Sequence, residues 1–175
     1  MIETIGFVLT GIGLAASIIY YANILNNANR TRELQLEAQN QAEATRQAQL
    51  YMRVWEKWDS EEFLKNLMKI YTFQYENFEE YMEKYGPNSD QEAWLSYCII
   101  ETFFEGVGVL VKRGFLDVGI IDDFMSGDFE MYWNETEIIR EGLRRELTPT
   151  WAEYSEYLYD KVINIRKEQH PELFQ

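Results

Sequence analysis

At 175 residues the chain is long enough for one folded domain, or a small domain plus an anchor. It carries 16 Lys and Arg against 30 Asp and Glu, a formal net charge of -14 that argues against a nucleic-acid binder and against a surface held by anionic lipid headgroups. The single Cys98 and single His170 exclude an intramolecular disulfide framework, a cysteine-built metal site and nearly all histidine chemistry.

The first element is an anchor. No charged residue occurs from Thr4 to Asn29, and residues 5–25 are apolar apart from Thr10, Ser17, Tyr20, Tyr21 and Asn23. Those residues make about 31 Å of helix, matching a hydrocarbon core of ~30 Å. A signal peptide would open with a basic segment, yet only Glu3 precedes the run. Arg30, Arg32 and Arg46 follow the run, so the positive-inside rule predicts an extracytoplasmic N-terminus and a cytoplasmic bulk, anchored in the cytoplasmic membrane.

A stalk continues the anchor. Residues 26–58 lack Pro and Gly and are rich in Gln, Glu, Ala, Leu and Arg, which predicts one unbroken helix from the span to about Trp58. Spacings of four and three give this helix a single stripe. Its membrane half is small: Gly6, Thr10, Gly13 and Ser17. Such residues let helices approach closely in lipid. Its stalk half is Thr31, Leu34, Ala38, Gln41, Thr45, Ala48 and Met52, too polar for a strong coiled coil. The stripe is either a docking face or the chance product of a long helix rich in Ala and Gly.

From Ser60 the composition turns aromatic and acidic. Ser60 with Glu61 and Glu62 predicts a helix start, and the periodicity from Phe63 to Met82 predicts a helix running to Gly86-Pro87. A second helix is expected from Ser89 or Asp90 to Arg113, closed by Gly114. Its segment WLSYCIIETFFEGVGVLV is strongly apolar but holds Glu101 and Glu105, which predicts the core helix of a bundle and not a second span. A short turn from Asp117 to Ser126-Gly127, a helix over 129–147 and a last helix over 149–167 follow. No run alternates with period two, so no sheet is expected. The expected fold is all-α, with about four helices in the bundle. The divisions are an N-terminus at 1–4, a transmembrane helix at 5–25, a stalk at 26–59, a cytoplasmic helical domain at 60–168 and a tail at 169–175.

Chemistry is sparse. A di-iron bundle needs histidines that the chain lacks. Glu101 and Glu105 share a helix face and would repel if buried together. They are expected to be core carboxylates salt-bridged to Arg140, Arg144 or Arg145, the alternative being a carboxylate site. Asp122-Asp123 reads as a solvated or capping pair, and Cys98 as a small buried hydrophobe. Gly106 and Gly108 lack the Lys and Ser/Thr of a phosphate loop. Trp133, Trp151, Tyr154, Tyr157 and Tyr159 are either core or a docking surface. No catalytic residue, metal or cofactor is expected.

The segments NANRTRELQLEAQNQAEATRQAQL and FFEGVGVLVKRGFLD resemble a family of small prokaryotic membrane proteins, common in archaea and catalogued only as a domain of unknown function. The resemblance implies an N-terminal span, a stalk and a cytoplasmic helical domain, and it carries no activity. The expected function is a non-catalytic accessory or regulatory subunit that docks on a larger membrane protein complex and sits in the lipid bilayer. The alternatives are a homo-oligomeric scaffold or signalling protein that uses the same stripe on itself, and a small-ligand sensor or enzyme built on Glu101 and Glu105.

Overall fold

A computed structural model describes residues 2–174, the side chains of residues 2–10, 15, 173 and 174 excepted. Among the described residues there are seven α-helices and no strand. They are α1 (Ile2–Trp58), α2 (Glu61–Ile70), α3 (Phe78–Tyr85), α4 (Gln91–Lys112), α5 (Val118–Glu135), α6 (Glu137–Glu146) and α7 (Glu153–Gln169), followed by a 3-10 turn over Pro171–Phe174. The chain divides into two units, residues 1–46 and residues 47–175.

The described residues of the first unit are all helical, as its Gly- and Pro-poor stalk predicts. Three hydroxyls on the stripe are turned back on their own helix. Ser17 donates to the Gly13 carbonyl, Thr31 to Asn27 and Thr45 to Gln41, at 2.8–2.9 Å. The stripe from Thr31 to Met52 is exposed. Gly6 and Thr10 are on the described helix, in the part whose side chains are not described.

The second unit is a bundle centred on α4, which packs between α2 and α7. Helix α5 lies on α7, and α3 joins α4 to α6. The last turns of α1 belong to this unit: Val54 and Trp58 are buried in its core, and Trp58 packs on Phe63 and Phe104. Phe63, Tyr81, Tyr97, Phe104, Phe129 and Tyr132 are fully buried, each worth roughly 1.5–3 kcal/mol in apolar burial.

Several boundaries fall where the sequence predicts. Ser60 caps α2 by accepting from Phe63 N–H, Asp90 caps α4 through Ala93 N–H, and Gly114 ends α4 at a left-handed φ of 71°. Others do not. The helix expected from Ser60 to Gly86 is two helices, because the chain turns at 71–77 and Asn77 starts α3 by accepting from Glu80 N–H. The expected break at Ser126-Gly127 is absent; α5 runs through it and ends at Thr136. The last helix begins at Glu153, not Pro149, after Ala152 adopts a left-handed φ of 60°. The bundle therefore holds six helices beyond α1 rather than about four.

Among the described residues, one helix is long and apolar enough to cross a membrane by length and composition, and it is α4. Its place between α2 and α7 and its buried face of Ala93, Ser96, Tyr97, Ile100, Glu101, Phe104, Val107 and Gly108 make it the core helix.

Candidate functional site

The most polar part of the core lies where α4, α5 and α7 meet. Glu101 is only 3% exposed. One carboxylate oxygen accepts from Tyr132 Oη on α5 at 2.9 Å, and the other from Ser155 Oγ on α7 at 2.5 Å. Glu105, one turn on and half-buried, accepts from the Ser155 backbone N–H at 2.6 Å. The two carboxylates are thus held by one residue of α7.

Burial pushes the Glu101 carboxyl above its ordinary range, and Glu105 adds to this. The Ser155 and Tyr132 hydrogen bonds and the Arg140 charge oppose it. The phenols of Tyr97 and Tyr132 are driven far up, by burial first and by Glu101 second, so both stay protonated.

The expected salt bridges from Glu101 and Glu105 to Arg140, Arg144 or Arg145 are not formed. Arg140 Nη1 donates instead to the Trp133 carbonyl at 3.0 Å, with its guanidinium 3.4 Å above the Trp133 ring. Arg144 pairs with Glu156 at 2.8 Å and Glu141 at 3.1 Å, and Arg145 with Glu79 and Glu146. The physical reason is reach: hydroxyls on α5 and α7 already face the carboxylates, while Arg140 is turned to the end of α5, whose carbonyls lack helical partners. Burial lowers the Arg140 pKa, and Glu101 acts against that lowering.

The aromatic set resolves into core and cation–π contacts. Trp133 is buried and stacks on Tyr159 at 5.1 Å. Trp151 Nε1 donates to Tyr97 Oη at 3.2 Å. The Lys112 ammonium sits 4.6 Å from the Tyr154 ring centre and 5.5 Å from that of Tyr157. Cys98, expected to be buried, is partly buried against the core and lines a surface cleft with Lys57, Ile99, Thr102 and Phe103. Asp122 is buried and Asp123 exposed, so they do not act as one pair. Among the described residues no group of three or more His, Cys, Asp or Glu stands close enough together to hold a metal ion.

Ser155 and Tyr132 are the site residues that the sequence reading missed. Each lies one helix away from Glu101, and nothing local to either marks it. With this geometry established, comparison with known proteins adds one finding. The family model described as Domain of unknown function (DUF4760) matches residues 5–162. The chain belongs to this family. No curated protein and no solved structure matches it.

For this family member the other distinctive surface is on α1. Ile12, Leu14, Ile18, Ile19, Tyr20, Tyr21 and Leu25 are all exposed; Leu14 and Leu25 keep 65% and 64% of their surface open. Large apolar side chains in such a run are seldom left to water.

Proposed function

We propose that the chain is a single-pass membrane protein, with residues 5–25 as its span and the bundle in the cytoplasm, that serves as a non-catalytic accessory or regulatory subunit of a larger membrane complex. The observation that carries this reading is the uncharged stretch from Thr4 to Asn29, whose described large apolar side chains stand exposed on α1. Arg30 and Arg32 just beyond it support the orientation. The occupied state of Glu101, both of whose oxygens are held by internal donors, supports a structural role for the buried carboxylates.

The test is alkaline extraction of membranes followed by purification of the tagged full-length chain in mild detergent, with its mass and companions determined. The expected result is resistance to extraction and a membrane complex in fixed ratio. Release at high pH overturns the anchor. Recovery as this chain alone, in every detergent tried, overturns the subunit reading.

A further inference from the structure

The outward face of α4 carries a stripe of apolar and small residues that the rest of the bundle covers only in part. Leu95, Ile99, Thr102, Gly106 and Val109 recur at spacings of four and three, which sets them on one stripe. Leu95 is 48% exposed, Thr102 and Gly106 are exposed, and Ile99 and Val109 are partly buried. A Cβ added at Gly106 would meet nothing within 4 Å. Beside the stripe lies a cleft of about 460 Å³ lined by Lys57, Cys98, Ile99, Thr102 and Phe103.

The two ends of the stripe carry opposite charge. Glu92 lies one step before Leu95, and Arg113 one step after Val109. The Glu92 side chain is 87% exposed and meets only Lys69, at 3.0 Å. Arg113 is exposed and has no ion pair among the described residues. Read backwards, the pattern matches itself around Thr102 to within one residue. An antiparallel copy laid along α4 would set Glu92 opposite Arg113 at both ends, Leu95 opposite Val109, and the bulk of Ile99 opposite the open space at Gly106. A parallel copy would set Glu92 on Glu92 and Arg113 on Arg113, a like-charge arrangement that charge complementarity rejects.

We propose that the occupant of this face is a second copy of the same chain, with two α4 helices packed antiparallel about a two-fold axis at Thr102. Such a contact is self-complementary and closes at two copies. The apolar stripe supplies the buried surface, and the two Glu92–Arg113 pairs at the rim set direction. This contact uses α4 and is independent of how α1 is docked.

The test uses the full-length chain in mild detergent, in a Cys98→Ser background, with single cysteines placed on the stripe and cross-linked by mild oxidation. Thr102→Cys is expected to give a covalent dimer, since residues on the axis meet within disulfide reach. Chains carrying Leu95→Cys mixed with chains carrying Val109→Cys are expected to cross-link at least ten-fold faster than either does with itself. Glu92→Arg is expected to slow the Thr102→Cys reaction at least three-fold, and adding Arg113→Glu to restore it. Leu95, Thr102, Glu92 and Arg113 are exposed and Val109 is partly buried, so each variant should keep the parent's helix content and melting profile, which is checked first. A Thr102→Cys chain that folds and does not cross-link overturns the proposal, whether the face is then found against detergent, lipid or another protein. Faster self-reaction at Leu95, or no restoration by the charge swap, overturns the antiparallel pairing.

Discussion

Glu105 on α4 accepts the backbone N–H of Ser155 at 2.6 Å and so caps a helix other than its own. Helix α7 starts after Ala152, which has a left-handed backbone and no side-chain oxygen to offer. Ser155 is the third residue of α7, and its N–H is one of the four that a helix start leaves unpaired. An N-cap side chain ordinarily accepts that hydrogen; here a carboxylate from the neighbouring helix does so, and its charge faces the positive end of the α7 dipole.

Glu105→Ala should therefore lower stability by about 1–2 kcal/mol, the usual cost of a lost cap. Glu105→Gln keeps an acceptor oxygen and should lose less than half of that. Urea unfolding followed by far-ultraviolet circular dichroism measures both. Equal stability of the alanine variant and the parent would show that the contact contributes nothing.

The same helix pair approaches closely at Gly108. A Cβ there would overlap the backbone carbonyl of Tyr154, an atom that cannot step aside without moving α7. Gly108→Ala should cost about 1–3 kcal/mol, the range seen when atoms are forced into a packed contact. Gly127 is the control. It sits in mid-α5 with nothing within 4 Å of a built Cβ, so Gly127→Ala should stabilise by about 0.5–1 kcal/mol through reduced backbone freedom in the unfolded chain. Thermal unfolding of the two variants should shift in opposite directions, and a shared direction would refute the assignment.

The contrast between these glycines explains what the sequence can and cannot disclose. Caps that use the residue's own neighbours were legible: Ser60, Asp90 and Gly114 mark their helix ends by local chemistry. Asn77, with Glu80 three residues on, carried the same signature; the strong periodicity on either side hid it. The end of α5 is different. Its terminal carbonyls are met from a distance, Glu135 O by Tyr75 Oη at 2.7 Å and Trp133 O by Arg140, so a helix can stop at Thr136 without Gly or Pro. Ser126-Gly127 looks like a break by composition, yet α5 continues because Ile121, Met125, Phe129 and Tyr132 bury one face across it. In the site, the sharing of a face by Glu101 and Glu105 follows from their spacing. Their partners Ser155 and Tyr132 do not, because tertiary packing alone brings α5 and α7 there.

Arg140 is held by its shape as well as its charge. The flat guanidinium lies on the Trp133 ring while Nη1 reaches the Trp133 carbonyl. An ammonium cannot do both. Arg140→Lys should destabilise the bundle by about 1–2 kcal/mol, combining a lost cation–π contact with an unpaired carbonyl at the end of α5. The near-ultraviolet dichroism of Trp133 should weaken at the same time. A variant that melts with the parent and keeps that signal would show the contact to be incidental.

Glu101 gives the chain a pH dependence whose sign can be worked out. Its carboxyl is raised in the fold, chiefly by burial and secondarily by Glu105, so the folded chain holds that proton more tightly than the unfolded one. Below the ordinary value of 4.5 both forms are protonated and the group imposes no penalty. As pH rises through the window from 4.5 to the raised value, the unfolded chain loses its proton first, and stability falls. Above that window the penalty is complete and constant. Glu101→Gln has no proton to lose, and its amide oxygen can still accept from one of the two hydroxyls. The stability of this variant relative to the parent should therefore climb with pH from 4.5 upward and then level, leaving its relative stability higher at neutral pH than in acid. Urea unfolding of the pair across that range reads the difference directly, since exposed carboxylates common to both cancel. A difference that stays flat with pH would mean that the Tyr132 and Ser155 hydrogen bonds, with the Arg140 charge, fully offset the burial of the carboxylate.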